Sequence, residues 1–526
     1  MKQITLSEIC YYIFFALLLS AKGIGLYDGQ GVFKIILVIA LFFWIGKMAL
    51  TEYSLKEILV MGALLLAGML SYYYSGDKAA LIAVMVITGM KNIPIKRLWK
   101  LGLICFSITF FGTVITALLG IRDTTQFVHN KGILGFVIRD SLGMPHPNVL
   151  HISYMVLIAL WFMVCDFKGK SLFKAIAVSF VGSIIIFLYS LSYTGFLFLI
   201  AYLVLAMYLN LSRKRTKVEN ILLQCLMPVC VLFAILGPVT LKGRIFELVN
   251  KAVNTRFELS RHYLTSLRPT LFGTRVNIEG NYTIDCAYVH CLYYYGIVLF
   301  VLFMVGFFLL IKYLLKKERN HELAMVLGLI AAGFTEPFLF NFSFKNLILP
   351  LLGEWLFVYL AKEGKTAWTN KKFQLMKKDF RYEWKETKIL QKIKRRWKSL
   401  INQYGKLLAT GVLAGMIMGL IFGSIYVHAE PYVVVNKNTS DRVGKKGDYQ
   451  IYHELSEEIK ENSLKINIDG DDTKVFVLSG NIIRYQEVRE KITICFFGGI
   501  LGLAVMTLVL LQLQNRKKND KDFNAG

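Results

Sequence analysis

The chain has few residues of the kinds that interrupt apolar segments or cross-link small domains. Only nine of its 526 residues are proline, and only 18% are charged. This composition excludes disordered and collagen-like chains, which are rich in proline or charge. Its eight cysteines form no Cys-x-x-Cys pair and no Cys/His cluster with the spacing of metal ligands. The sequence therefore predicts neither a disulfide framework nor a metal site.

Long apolar segments are abundant instead. Apolar residues make up 55% of the chain, and its mean hydropathy is +0.51. Such segments predict membrane-spanning helices. Twelve spans are predicted near residues 7–21, 31–50, 57–74, 79–91, 98–120, 148–165, 172–191, 194–210, 221–241, 290–315, 323–340 and 346–361, and two more near 405–427 and 492–513. The predicted fold class is an all-α polytopic membrane protein of twelve transmembrane helices with a C-terminal two-helix hairpin.

The basic residues indicate which side of the membrane each loop occupies. Clusters of Lys and Arg lie near residues 91–100, 168–174, 213–217 and 316–319, in alternate loops. Because cytoplasmic loops carry an excess of Lys and Arg, these loops and both termini, including the tail at 514–526, are predicted to be cytoplasmic. The net charge of +26 is therefore explained by topology and indicates no nucleic-acid partner.

Two long loops, at about residues 121–147 and 243–289, fall on the extracytoplasmic side in this topology. Both carry several arginines and lysines, against the usual bias of outer loops. This excess indicates an anionic ligand on the outer face. Contact with lipid headgroups of the outer leaflet is the alternative explanation.

The second outer loop contains a predicted amphipathic helix. Residues 244–268 lie between two prolines and contain no Gly or Pro, so one continuous helix is predicted. On a helical wheel Arg256 falls within the apolar arc and is expected to point into the membrane domain. A guanidinium there needs a partner, and its planar fork suits two phosphate oxygens. The alternative is a snorkelling arginine whose stem packs on Phe257.

Several short motifs follow one another within residues 1–361. They are Gly143-Met144-Pro145-His146-Pro147-Asn148, Ser192-Tyr193-Thr194-Gly195, the helix around Arg256, Leu271-Phe272-Gly273, Asp285-Cys286-Ala287-Tyr288 before Gly296, and Glu336-Pro337 with Asn341 and Asn346. In these motifs the chain resembles the O-antigen polymerase and O-antigen ligase superfamily of bacterial membrane proteins. It departs from the family at Cys286, where such polymerases often have Asn.

The resemblance implies a membrane glycosyltransferase of the bacterial cytoplasmic membrane. Such an enzyme transfers a growing glycan from polyprenyl pyrophosphate to a sugar hydroxyl of another lipid-linked repeat unit, and so makes a surface polysaccharide. The implied partners are polyprenyl-pyrophosphate-linked oligosaccharide, membrane lipids, and flippase and chain-length regulator proteins. No cofactor is implied.

This reaction needs positive charge on the leaving pyrophosphate and a group that orients or deprotonates the attacking hydroxyl. The candidate pyrophosphate ligands are Arg256, Arg261, Arg139 and Arg275. The candidate catalytic residues are Asp285, in the family's motif position, His146 and Glu336, and the candidate sugar ligands are Tyr288 and Asn148. Alternatively, His146 only fixes the turn between two prolines and Glu336 only pairs locally.

The chain continues beyond the region of resemblance. Residues 362–404 combine many cations with an apolar periodicity, which predicts a basic amphipathic helix on the cytoplasmic surface. Residues 405–513 form the predicted hairpin, which encloses a small extracytoplasmic α+β insert at 428–491. This arrangement resembles chain-length regulators in topology only. An anchor or a partner-docking hairpin is the alternative.

Two other functions compete with the polymerase. A ligase would use the same donor and transfer the glycan to a different acceptor. A transporter or flippase of lipid-linked sugars would need ionisable residues at mid-depth and related halves, and the sequence shows neither.

Overall fold

A computed structural model gives the fold. It describes the whole chain apart from residues 1, 28, 123, 125, 131–135, 212–213, 254, 277–283, 338, 340–345, 363–370, 377–378, 385–387, 429–431, 437–450, 453–472, 478–479 and 524–526. The chain divides into two compact units. The bundle unit comprises Lys2–Thr125 and Ser141–Glu383, and the hairpin unit comprises Gln126–Asp140 and Trp384–Gly526.

The bundle unit is built almost entirely of helices. They are α1 Leu6–Gly23, α2 Gly31–Leu50, α3 Leu55–Ser75, α4 Ala79–Thr88, α5 Ile95–Leu118, α6 Pro147–Cys165, α7 Gly169–Ser190, α8 Tyr193–Leu209, α9 Lys217–Thr240, α10 Gly243–Ala252, α11 Arg256–Ser266, α12 Ala287–His290, α13 Gly296–Lys316, α14 Asn320–Ala332 and α15 Ile348–Lys362. A π-helical turn, Cys291–Tyr295, joins α12 to α13. Short strands β1 Lys2–Thr5 and β2 Tyr53–Ser54 precede α1 and α3.

The hairpin unit holds the remaining elements. Strands β3 Gln126–Asn130 and β4 Phe136–Asp140 form an antiparallel pair. Helix α16 spans Lys388–Tyr426 with a kink at Tyr404, and α17 spans Gly480–Phe523. Between them, strands β7 Tyr432–Asn436, β8 Ile451–Tyr452 and β9 Thr473–Val477 form a three-stranded antiparallel sheet with β9 in the centre. Most of the predicted insert at 428–491 lies outside the described residues.

Among the described residues, ten helices are long and apolar enough to cross a membrane. Eight belong to the bundle unit, where the continuous segment Ala287–Lys316 counts as one, and α16 and α17 supply the other two. Four shorter apolar helices, α4, α8, α14 and α15, lie at the four remaining predicted spans. The chain is thus a polytopic, predominantly α-helical membrane protein.

Three helices begin with the same local sequence signal. In α1, the Thr5 hydroxyl accepts a hydrogen bond from the Glu8 amide at 3.2 Å, and the Glu8 carboxylate accepts one from the Thr5 amide at 3.4 Å. Helices α3 and α9 begin with equivalent capping boxes. Each box satisfies two backbone donors at a helix start, so it fixes where the span begins.

Helices α6 and α14 form the centre of the bundle unit. Most residues of α6 are buried, and nearly every residue of α14 from His321 to Ala332 is buried. Both helices therefore have to be apolar all round. Their ends carry the sequence motifs, with Asn148 at the start of α6 and Glu336 just after α14. The core thus fixes the positions of these two side chains.

The basic segment after α15 is not the continuous amphipathic helix that the sequence predicts over 362–404. Its described residues form strand β5, Lys372–Phe373, which pairs with β2, and strand β6, Arg381–Trp384, which pairs with β1; helix begins only at Lys388. Asp379 explains part of the difference, because its carboxylate accepts hydrogen bonds from the Ser7 amide at 3.0 Å and the Ser7 hydroxyl at 2.6 Å. Contacts with the starts of α1 and α3 therefore stabilise an extended conformation here, although the local apolar periodicity favours a helix.

Glycines bring the two long helices of the hairpin unit into backbone contact. Gly411, Gly415 and Gly419 recur at every fourth residue of α16, and they meet Gly498 and Gly502 of α17. A Cβ atom added to Gly415 would overlap the carbonyl oxygen of Gly498. Small residues at this spacing allow close helix packing in membranes, where apolar burial gives little drive for association.

We expect Gly415→Ala to destabilise the hairpin unit, because the added methyl group has no space between the two backbones. Overpacking of this kind costs about 1–3 kcal/mol. Gly405→Ala is the matched control, since a Cβ atom there has no neighbour within 4 Å. Protease resistance of the segment from α16 to α17 in the full-length protein measures the effect. Equal resistance of the two variants would contradict the packing argument.

Candidate functional site

The predicted continuous helix over 244–268 is interrupted. Helix α10 ends at Ala252 and α11 begins at Arg256, because Thr255 adopts a left-handed conformation with φ of 67°. The Thr255 amide donates to the Asn250 carbonyl at 2.8 Å, which closes the turn. A non-glycine residue in this region is uncommon and needs support from its surroundings. The break places Arg256 in the first turn of its own helix.

Asn250 and Glu258 hold the break in place. The Asn250 side-chain oxygen accepts from the Glu258 amide at 3.0 Å, and its side-chain nitrogen donates to the Glu258 carboxylate at 3.3 Å. These bonds satisfy an amide at the start of α11 that has no partner within the helix. These two polar side chains therefore fix the direction in which α11 leaves the break.

Aromatic packing anchors α11 to the bundle unit. Phe257 is 1% exposed, and its ring centroid lies 5.1 Å from that of Phe233 on α9 and 5.6 Å from that of Phe334. The Tyr293 hydroxyl donates to the Tyr263 carbonyl at 2.8 Å. Buried aromatic groups carry much of the packing energy, so this face fixes the rotation of α11.

The rotation of α11 directs Arg256 towards the turn that follows α14. Its Nη2 lies 3.5 Å from Oδ2 of Asp285, and its Nε donates to the Thr335 carbonyl at 3.4 Å. The Arg256 side chain is 12% exposed and that of Asp285 is 29% exposed. The structure therefore brings together one predicted pyrophosphate ligand and the preferred catalytic carboxylate, with the carboxylate more open to solvent.

Asp285 is positioned by the same turn. Two residues after it, the Ala287 amide donates to the Gly333 carbonyl at 2.8 Å. This bond keeps the start of α12 beside residues 333–336. Thr335 is 6% exposed, and its buried hydroxyl has no hydrogen-bond partner among the residues that the structure describes. Buried polar atoms are nearly always satisfied, so a water molecule or a ligand group is the expected partner of this hydroxyl.

Glu336 connects three helices at this end of the bundle unit. It is 8% exposed, and its Oε1 accepts from Asn148 Nδ2 and from Thr194 Oγ1, both at 3.3 Å. Asn148 lies at the start of α6 and Thr194 at the start of α8. A buried carboxylate is costly unless hydrogen bonds compensate, and these two donors supply that compensation. Three separate sequence motifs thus meet at one oxygen atom.

Gly195 allows α8 to approach α6 closely enough for this contact. A Cβ atom at Gly195 would crowd the His151 side chain, which is fully buried. The ring nitrogens of His151 lie 3.3 Å from the Ser190 hydroxyl and 3.0 Å from the Ser183 hydroxyl, both on α7. The glycine of the Ser192-Tyr193-Thr194-Gly195 motif is therefore required by packing.

His146 caps α6. Its Nδ1 accepts a hydrogen bond from the Asn148 amide at 3.1 Å, and Pro147 occupies the first helical position. An acceptor Nδ1 means that the neutral ring carries its proton on Nε2. His146 thus has a structural role at the start of α6, and its part in catalysis stays a prediction.

The Leu271-Phe272-Gly273 motif holds the π-helical turn. The Ile297 amide donates to the Thr270 carbonyl at 2.9 Å, and the Thr274 amide donates to the Tyr293 carbonyl at 2.9 Å. Gly273 has φ of 88°, and a Cβ atom there would overlap the Tyr294 carbonyl. Backbone groups of a π-helical turn that lack a hydrogen-bond partner are costly inside a membrane. The loop around Gly273 supplies hydrogen bonds to this turn.

Arg261 faces away from the cluster. Its Nε donates to the Pro238 carbonyl at 2.5 Å, its Nη2 donates to the Leu241 carbonyl, and its guanidinium lies 3.5 Å from the centroid of the Phe246 ring. These carbonyls belong to the end of α9, where the helix offers no internal donors. The structure thus gives Arg261 a capping position, separate from Asp285.

The other predicted residues lie elsewhere. Tyr288 is fully buried and its hydroxyl donates to the Ile330 carbonyl at 2.8 Å, a packing position below the cluster. Arg275 is exposed beside Gly76, and no described contact joins it to Arg256. Arg139 lies on β4 of the hairpin unit, opposite Phe127, and its role stays a prediction. Asn341 lies outside the described residues, whereas Asn346 is buried and donates to the Leu339 carbonyl.

Sequence reasoning missed Thr335 and the role of Thr194. Thr335 directly precedes the Glu336-Pro337 motif, but nothing in the sequence indicates that its hydroxyl is buried and unsatisfied. Thr194 lies within a recognised motif, so its hydroxyl was available as a candidate ligand. All eight cysteines are free thiols, and the described residues contain no group of three His, Cys, Asp or Glu side chains that could hold a metal.

We expect Arg261→Gln to lower the stability of the protein, because α9 loses two hydrogen bonds to its terminal carbonyls. The expected loss is about 1–3 kcal/mol. Arg268→Gln is the matched control, since Arg268 is exposed. Thermal unfolding of the purified protein in detergent measures the difference. Unchanged unfolding of the Arg261 variant would show that the capping bonds contribute nothing.

Arg256, Asp285, Thr335, Glu336, Asn148, Thr194 and His146 together form a cluster at one end of the bundle unit. The cluster offers a guanidinium for an anion, a partly exposed carboxylate for a hydroxyl, and neutral donors and acceptors for a sugar. These groups fit a ligand that carries phosphate and hydroxyl groups. The chain matches no known family model, no curated protein and no solved structure.

Proposed function

We propose that the protein is a membrane glycosyltransferase that polymerises polyprenyl-pyrophosphate-linked oligosaccharide repeat units into a surface polysaccharide. The observation that carries the proposal is the position of Arg256 between the Asp285 carboxylate and the Thr335 carbonyl, beside the unsatisfied Thr335 hydroxyl. This arrangement provides charge for a leaving group next to an acceptor for a hydroxyl. Such a pairing is what displacement at an anomeric carbon requires.

The proposed reaction forms one bond and breaks one. The acceptor hydroxyl oxygen attacks the anomeric carbon of the donor, and the bond from that carbon to the pyrophosphate oxygen breaks. The electron pair leaves with the pyrophosphate, where the guanidinium of Arg256 stabilises the developing charge. Asp285 orients the hydroxyl and accepts its proton. Donor and acceptor together supply every atom of the products.

The two carboxylates have different environments and so receive different roles. Glu336 is buried and accepts hydrogen bonds from two neutral donors, which fix the position of its carboxylate. Asp285 is more exposed and contacts Arg256 at 3.5 Å, longer than a strong charge-assisted bond. Asp285 is therefore the proposed base, and Glu336 positions Asn148 and Thr194 for sugar binding.

Topology supports an extracytoplasmic site. The cluster lies at the ends of α6, α8 and α14 that are opposite to the Lys and Arg clusters. By the positive-inside rule those basic loops face the cytoplasm. We therefore assign the chain to the bacterial cytoplasmic membrane, with both termini cytoplasmic and the reaction on the outer side.

Flippase and chain-length regulator proteins are the proposed partners. Ligase-like transfer would use the same cluster with another acceptor.

We expect Arg256→Ala to abolish polymer formation and Arg256→Lys to remain badly impaired, because a point charge cannot replace the planar fork. Removing one stabiliser of transition-state charge costs about 100- to 1000-fold in rate. Arg244→Ala, on the exposed face of α10, serves as the control. The assay uses purified protein with lipid-linked repeat units and gel analysis of chain length. Normal polymer from Arg256→Ala would refute the pyrophosphate role, and transfer only to a non-lipid acceptor would favour a ligase.

Thr335 offers a sharper test, because valine has nearly the same shape and lacks only the hydroxyl. We expect Thr335→Val to reduce polymer formation about tenfold while keeping or raising stability, since it removes an unsatisfied buried group. Thr335→Ser retains the hydroxyl and is expected to retain most activity. Initial rates and melting temperatures of both variants make the comparison. Equal rates would place the substrate away from Thr335.

A further inference from the structure

A second polar site lies at the other end of the bundle unit. A cavity of about 530 Å³ opens between the starts of α5 and α14 and the ends of α6 and α8. Helices α6 and α14 connect it to the cluster described above, since each carries a cluster residue at one end and a cavity residue at the other. The basic loops place this cavity on the predicted cytoplasmic face.

The cavity has a rigid wall of paired charges. Arg319 Nη1 lies 2.6 Å from the Glu354 carboxylate and its Nη2 lies 3.0 Å from the Glu322 carboxylate. All three side chains are less than one quarter exposed. Pairs held in this way keep their geometry without a ligand, because each partner compensates the burial of the other. The wall is therefore preformed.

A second set of contacts holds the loop that follows α6, which lines another side of the cavity. Asp166 has φ of 47°, and its carboxylate lies 3.4 Å from the Lys168 amine and 3.7 Å from His321 Nε2. His321 Nε2 also lies 3.0 Å from the Phe167 carbonyl. This loop is thus held in an uncommon conformation by groups that line the cavity.

Two lysines on the remaining side are available to a ligand. Lys96 and Lys100 lie one turn apart on α5, line the cavity and are exposed. Neither amine forms an ion pair with a carboxylate in the part of the chain that the structure describes. The long stem of a lysine side chain lets its amine reach lipid phosphates at a membrane surface. They indicate an anionic group at the mouth of the cavity.

The lining is only partly polar. Ile95, Met163 and Val164 lie beside the charged residues. A ligand that fills the cavity must therefore combine an anionic group with an apolar part. The carboxylates of Glu318 and Asp166 would repel a simple phosphate, whereas hydroxyl groups can donate to them. These features together describe a phospholipid with a hydroxylated headgroup.

We infer that this cavity binds an anionic phospholipid of the cytoplasmic leaflet whose headgroup carries hydroxyls, with its phosphate on Lys96 and Lys100 and its hydroxyls on Glu318 and Asp166. Phosphatidylglycerol is the probe of this class. Bound lipid joins α5, the end of α6 and the start of α14, so it stabilises the folded bundle by mass action. The inference is independent of the proposed polymerase reaction.

The test measures lipid binding to the full-length protein in phosphatidylcholine nanodiscs by native mass spectrometry and by thermal unfolding. We expect saturable binding of phosphatidylglycerol and little gain from added phosphatidylcholine. Lys96→Gln with Lys100→Gln should weaken phosphatidylglycerol binding about tenfold or more, because two cations near the surface are removed. Lys170→Gln with Lys174→Gln is the matched control, since both lysines are exposed on α7 and lie outside the cavity.

Each remaining outcome would overturn part or all of the inference. An equal loss in both double variants would show general attraction to anionic lipid and no site. Binding of glycerol 3-phosphate as tight as that of phosphatidylglycerol would identify a soluble phosphate ligand. Phosphatidic acid that binds as tightly as phosphatidylglycerol would show that charge alone is recognised. If phosphatidylglycerol protects the protein with Lys96→Gln and Lys100→Gln from unfolding as well as it protects the unchanged protein, the lipid binds elsewhere.

Discussion

The turn at residues 333–336 is the constraint on which the end of the bundle unit that carries the candidate site depends. Its Gly333 carbonyl accepts from the Ala287 amide, its Thr335 carbonyl accepts from Arg256, and its Glu336 carboxylate accepts from two side chains. Non-helical backbone within a membrane protein has to be satisfied by the protein or by a cavity. The groups that satisfy this turn are also the groups of the candidate site. The same hydrogen bonds therefore satisfy the helix ends and hold the residues of the candidate site together.

The sequence predicts the helices far better than their contacts. Hydropathy predicts the ten helices that are long and apolar enough to cross a membrane, because such a helix must be apolar over its whole length. Arg256 also faces inward as its helical position predicts, because only the turn around it decides its direction. The continuous helix over 244–268 is wrong, because the break at Thr255 depends on hydrogen bonds between Asn250 and Glu258, eight residues apart. Polar residues at that spacing look like an ordinary exposed face.

Arg256 and Arg261 show why the site could be predicted only in part. Both are arginines of the loop that is predicted to be extracytoplasmic, and both fit a phosphate ligand by type. They are five residues apart on α11 and so point in different directions. Arg261 meets the terminal carbonyls of α9, and Arg256 meets Asp285. Asn148, Thr194 and Glu336 likewise belong to three motifs, and their convergence follows from the packing of α6, α8 and α14, which local sequence does not encode.

The contact between Arg256 and Asp285 couples the two halves of the proposed reaction. In the structure, which contains no donor, the guanidinium of Arg256 lies 3.5 Å from the Asp285 carboxylate. A pyrophosphate carries more charge than a carboxylate and matches the guanidinium fork, so it competes for Arg256 when the donor binds. The Asp285 carboxylate, the more exposed partner of the pair, is then released towards the hydroxyl of the acceptor. Glu336 is held by neutral donors and does not take part in this exchange. In the proposed reaction the carboxylate that is released is thus the one next to the donor, and it is released only when the donor is present.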